Sequence, residues 1–95
     1  MPRYISFLKF TEKGAQAVRQ STDRARKFSD TAKKNGVKID AQYWTLGRFD
    51  GVLILSAPRP EAALHCLTEL ASAGYIKTET LEGFTAEEFD AFTAG

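Results

Sequence analysis

Residues 37–57 read VKIDAQYWTLGRFDGVLILSA, and this stretch decides the fold. Val37 to Leu46 alternates as a strand, Gly47-Arg48-Phe49-Asp50 supplies turn residues, and Gly51 to Ala57 forms a second strand. On the first strand, Val37, Ile39, Ala41 and Tyr43 fall on one face, and Lys38, Asp40, Gln42, Trp44 and Leu46 on the other. This alternation predicts Tyr43 under the helices and Trp44 on the opposite face of the sheet. The second strand does not alternate: Val52, Leu53, Ile54 and Leu55 are all apolar, as expected of a strand covered on both faces.

Working outward, Tyr4 to Phe10 alternates as a strand close to the N-terminus. Thr11 to Gly14 reads as a transition, with Gly14 weakening any helix there. From Ala15 to Asn35, Val18, Ser21, Ala25, Phe28 and Ala32 share one helical face, with Ser21 a candidate cap for a second segment, so one helix or two fit the pattern. Asn35-Gly36 is a helix stop. Pro60 suits the first turn of a helix reaching about Ala73, whose buried stripe is Ala63, Cys66, Leu67 and Leu70. Gly74 ends it, a strand covers Tyr75 to about Leu81, and Thr85-Ala86-Glu87-Glu88 is a capping box opening a short C-terminal helix.

The order is β-α-β-β-α-β plus a tail helix, an α+β chain with a ferredoxin-like four-stranded antiparallel sheet. Residues 1–95 read as one domain. Its helices cover one sheet face. The second apolar face of Gly51 to Ala57 then needs a cover, which predicts a homodimer with sheets face to face, an α+β barrel. The alternative cover is the tail helix with Phe89 and Phe92.

Composition excludes several classes. Apolar residues make up 43% and charged residues 26%, ordinary for a globular domain. No stretch approaches the roughly 18 apolar residues of a membrane span, and the N-terminus lacks a signal-peptide pattern. A single cysteine, Cys66, points to a reducing cytoplasm. Net charge is +1, yet residues 1–60 carry twelve Lys/Arg against five Asp/Glu, while residues 61–95 carry Lys77 against seven acids. Such halves attract within a chain or between copies, the latter in a salt-sensitive way.

The hairpin Tyr43-Trp44-Thr45-Leu46-Gly47-Arg48-Phe49-Asp50, the segment Lys77-Thr78-Glu79-Thr80-Leu81 and the run Gly83-Phe84-Thr85 together resemble the GYD domain family. The similarity covers nearly the whole chain and departs at Phe49, where the family usually has tyrosine. It implies a ferredoxin-like dimeric α+β-barrel fold and no particular activity.

Candidate functional residues sit around the hairpin. Asp50 is first a turn carboxylate that accepts backbone N–H groups; at a pocket rim it is the weak candidate for a catalytic base. Tyr43, Trp44, Phe49, Asp50 and Thr78 are the candidate ligand-binding set, with Gln42 and Thr80 as further polar contacts to an apolar ligand. His65 falls opposite the buried stripe and reads as solvent-facing; Cys66 reads as a small apolar filler. No metal-ligand spacing and no cofactor motif is found. The basic residues Arg19, Arg24, Arg26, Lys27, Lys33 and Lys34 read as a solvated helix face, and nucleic acid is disfavoured because the sheet lacks the aromatic pair of an RNA-recognition motif. The leading expectation is a dimer that binds a small, partly apolar molecule in or beside the barrel. A cofactor-independent oxygenase or isomerase, and a purely structural or interaction protein, are the alternatives.

Overall fold

A computed structural model describes residues 1–94. The chain runs β1 (Arg3–Phe10), α1 (Glu12–Gln16), a 3-10 turn (Val18–Gln20), α2 (Ser21–Lys34), β2 (Lys38–Trp44), β3 (Gly51–Ser56), α3 (Pro60–Ser72), β4 (Ile76–Gly83) and α4 (Ala86–Thr93). The four strands form one antiparallel sheet in the order β2-β3-β1-β4, as a ferredoxin-like chain requires.

The core lies on the helix side. Tyr4, Ser6 and Leu8 of β1 stand opposite Leu55, Leu53 and Gly51 of β3, and all six are buried. Ala32, Val37, Ala63, Cys66 and Leu67 close over them. Buried Ser6 shares a hydrogen bond of 2.8 Å with Thr80, which offsets the cost of removing its hydroxyl from water. Pro60 occupies the first turn of α3, and Thr85 and Glu88 complete the capping box of α4, both as the sequence predicts.

The segment after β1 differs from its sequence reading. Thr11 to Gly14 is the start of a helix: the Thr11 hydroxyl accepts from the Gly14 N–H at 3.1 Å and caps α1. Gly14 serves close approach rather than helix breaking, since a Cβ there would stand 1.9 Å from the Tyr75 carbonyl oxygen. The helical stretch is then broken at Ala17 to Gln20, which leaves Val18 exposed instead of on the buried face. Ser21 begins α2 without capping it.

The faces of β2 are also corrected. Ile39 pairs with Leu55, but Ala41 pairs with Ile54, so one extra residue is inserted at Asp40. This bulge reverses the alternation beyond it. Gln42 and Trp44 consequently stand opposite Leu53 and Gly51 on the helix side, while Tyr43 stands opposite Val52 on the other face. The Ser56 hydroxyl hydrogen-bonds the Asp40 carboxylate and pins the bulge. The strand ends at Trp44 rather than Leu46, and Leu46 is fully exposed in the loop.

The second sheet face is open in the single chain. Ile5, Phe7, Val52 and Ile54 are only half-buried there, and Tyr43 and Leu81 are exposed. The tail helix does not cover this face. It makes no extensive contact with any other element, and Phe89 and Phe92 are 61% and 67% exposed. The radius of gyration, 14.2 Å, exceeds the roughly 12 Å of a compact chain of this length, in keeping with a tail helix that packs little against the other elements.

Candidate functional site

α2 packs on β2 and α3 on β4, and a hollow lies in the gap between the two helices. It is a half-open cavity of about 310 Å³. Leu8, Phe10, Gly51 and Ile76 form its floor, Ala25 and Phe28 of α2 one wall, and Leu70 and Ala73 the other. The lining is mostly apolar because the residues that β1, β3 and β4 place on the helix side here have no helix directly above them.

Polar groups are few and placed at the edges. The Trp44 indole N–H donates to the Ser21 hydroxyl at 2.8 Å, joining β2 to the start of α2. Gln42 lies on the same strand face two residues earlier. Across the mouth, the Arg24 guanidinium stands 4.2 Å from the Tyr75 ring centroid and Lys13 Nζ stands 4.4 Å from it, so the ring carries two cation–π contacts. Arg24 Nη1 donates to the Ala17 carbonyl at 2.9 Å, whereas Nη2 is enclosed with no hydrogen-bond partner. Arg24 and Glu69 are oppositely charged wall residues without a salt bridge between them.

Asp50 is held by three hydrogen bonds. Its Oδ2 accepts from the Phe10 N–H at 2.8 Å, its own N–H donates to the Leu8 carbonyl at 2.8 Å, and its carbonyl accepts from the Thr45 N–H at 2.9 Å. The Asp50 backbone carbonyl therefore closes the β2–β3 loop and its carboxylate ties the loop to the end of β1, while the residue also lines the cavity.

The five candidate ligand-binding residues do not converge on one site. Trp44 and Asp50 border the cavity, and Tyr43 touches its rim although its position on β2 faces the open side of the sheet. Phe49 and Thr78 instead border a second hollow of about 210 Å³ with Phe7, Lys9, Arg48, Lys77 and Glu79. There Phe49 packs on Phe7 with ring centroids 4.9 Å apart, and the Arg48 guanidinium lies 5.5 Å from the Phe49 ring. Arg24 and Tyr75 were not legible as site residues. Arg24 reads as one more charge on a solvated helix, and only Gly74 before Tyr75 signals that the chain turns there towards α1.

His65, Cys66 and Tyr4 stand outside the cavity. His65 is exposed, 3.8 Å from Glu69. Burial pushes the Cys66 thiol up, with Glu69 adding to the shift. Burial likewise raises the Tyr4 phenol, helped by Glu82 and Glu61, and its hydroxyl lacks a partner. Among the described residues, no group of three or more His, Cys, Asp and Glu side chains converges as metal ligands would, and no helix is long and apolar enough to cross a membrane.

Comparison with known proteins places this geometry in a family. The GYD domain model matches residues 4–93. The glutamine synthetase and cystathionine beta-lyase binding protein of Thermus thermophilus is 31% identical over 83 residues, covering 86% of this chain and 87% of that protein. The crystal structure of TTHA0845, also from Thermus thermophilus, superposes with a TM-score of 0.57 at 18% identity, over 90% of this chain and 96% of that one. The last likeness is one of fold.

Proposed function

The chain belongs to the GYD domain family, and from that premise we propose that it is a small single-domain binding protein whose cavity between α2 and α3 takes a partly apolar small molecule. The observation that carries this reading is the cavity itself. Its volume of about 310 Å³ lies at the lower end of small-molecule sites, and its apolar walls with a few edge polar groups match their usual chemistry. Trp44, Gln42 and Ser21 supply hydrogen-bonding groups at one edge, and the stacked Arg24–Tyr75 pair supplies a cationic one at the other. Asp50 serves this site by holding the loop that carries it, with Oδ2 engaged by a backbone N–H.

In the same proposal, the working form is a homodimer. The open sheet face presents Ile5, Phe7, Val52, Ile54 and Leu81, a contiguous apolar surface of the kind that association removes from water. The lone buried thiol of Cys66 fits a reducing compartment such as the cytoplasm. Native mass spectrometry of freshly purified protein tests the reading. A dimer carrying extra small-molecule mass is expected. A clean monomer that gains no mass when incubated with extracted metabolites contradicts it.

A second reading is favoured by the Thermus relative, which is named for binding glutamine synthetase and cystathionine beta-lyase. The same open face and the projecting α4 would then meet an enzyme. Mixing the protein with glutamine synthetase and measuring the mass by light scattering tests it. A complex heavier than the enzyme supports enzyme binding, and an unchanged mass at micromolar concentrations opposes it.

A further inference from the structure

The charged groups of the open sheet face and of α4 are distributed so that one chain cannot satisfy both. Lys9 and Lys77 are directly opposite each other in the β1–β4 ladder, and like charges so placed repel. Arg48 joins them around the hollow floored by Phe7 and Phe49, where Glu79 is the single acid against three cations. None of these three cations forms a salt bridge among the described residues. At the other end of the sheet, α4 carries Glu87, Glu88 and Asp90 with no base, and its Phe89 and Phe92 lie on one exposed stripe. Glu88 is engaged by Arg3 at 3.2 Å, which fixes the base of α4 beside Gly83. From Lys77 to Gly83 along β4 is about 20 Å at ordinary strand rise. The chain's own acidic helix is thus anchored at the end of the sheet remote from its own cationic hollow.

We infer that α4 docks on the open sheet face of a second copy, with Phe89 and Phe92 over its Phe7–Phe49 pair and Asp90 and Glu87 toward its Lys9, Arg48 and Lys77. This rests on the homodimer proposed above and specifies how it is held. A second copy facing the first with its strands reversed brings each α4 to the other's cationic end, and two-fold symmetry makes both contacts at once. The arrangement gives three features their use: the projecting helix, the repelling lysine pair and the opposite charge of the two chain halves. It places opposite charges across the interface around an aromatic centre, where complementarity fixes orientation and partner.

The test is sedimentation equilibrium of the full chain and of charge-reversed variants. Lys9→Glu with Lys77→Glu juxtaposes like charges with the incoming acids and is expected to weaken the dimer by about tenfold or more. Adding Glu87→Lys with Asp90→Lys in the same chain restores it. All four positions are exposed, and far-UV circular dichroism verifies that each variant keeps its fold. Phe89→Ala with Phe92→Ala, which alters no charge, also weakens the dimer. A dimer indifferent to every one of these changes overturns the docking of α4 while leaving sheet-to-sheet pairing intact. A wild-type chain that remains monomeric overturns both.

Discussion

The Trp44 indole nitrogen lies 2.8 Å from the Ser21 hydroxyl, so the last residue of β2 is fastened to the first residue of α2. That bond spans one edge of the cavity and sets the distance between its strand and its helix. Ser21→Ala removes the acceptor and is expected to cost about 0.5 kcal/mol, the low end for a hydrogen bond at a partly exposed site. Trp44 emission should shift to the red as the ring loosens. Unchanged emission and stability in chemical denaturation would show that packing alone holds the ring.

Asp50 distinguishes a structural carboxylate from a chemical one. Asp50→Ala leaves the Phe10 N–H without its acceptor and should destabilise the fold by about 1–2 kcal/mol. Asp50→Asn retains a carbonyl acceptor and should recover most of that loss. Equal destabilisation by both variants would mean that the negative charge, not the hydrogen bond, does the holding.

Gly14→Ala sets two effects against each other. In an unconstrained helix interior alanine is favoured over glycine by about 1 kcal/mol. Here the new Cβ would lie 1.9 Å from the Tyr75 carbonyl oxygen, and relieving that overlap moves α1 away from the start of β4. A net loss of about 2 kcal/mol is expected. A variant more stable than wild type would contradict the close approach.

Glu88 links α4 to pH. The Thr85 backbone N–H bound to its carboxylate holds its pKa below the usual glutamate range, with the Thr85 side chain and Arg3 adding to the effect. The unfolded chain therefore takes up this proton at higher pH than the folded one. The stabilising contribution is present above the unfolded glutamate pKa and is lost as pH falls through the depressed folded value. Carbon-detected NMR titration should show Glu88 titrating below an ordinary glutamate, with fraying of α4 over the same range. Thr85→Pro, which removes both that backbone N–H and the hydroxyl at a φ proline adopts, should move it back up; an unmoved midpoint would rule out the capping box as the cause.

The strand and helix order was legible because it rests on strong periodicities, such as the unbroken apolar run Val52–Leu55 and the Thr85–Glu88 box. The orientation of Tyr43 and Trp44 was not, because a single inserted residue at Asp40 reverses every side chain beyond it and leaves no signature in composition. Gly14 and Arg24 were misread for a related reason. Each takes its meaning from Tyr75, some fifty or more residues away in the chain, and local pattern reports nothing of such a neighbour. Part of the candidate site followed the same course: Trp44 and Asp50 border the cavity as a pair, whereas Phe49 and Thr78 belong to the separate cationic hollow.

The most direct test of the binding proposal is titration with 1-anilinonaphthalene-8-sulfonate, an apolar aromatic anion, following quenching of the chain's only tryptophan. Wild-type protein should bind the dye saturably with Trp44 quenched. Ala25→Phe, which fills the cavity from its α2 wall, should abolish this signal, whereas Ile54→Asp on the open sheet face should preserve it. Dye binding unaffected by Ala25→Phe but lost with Ile54→Asp would place the ligand surface on the open face and contradict the cavity as the binding site.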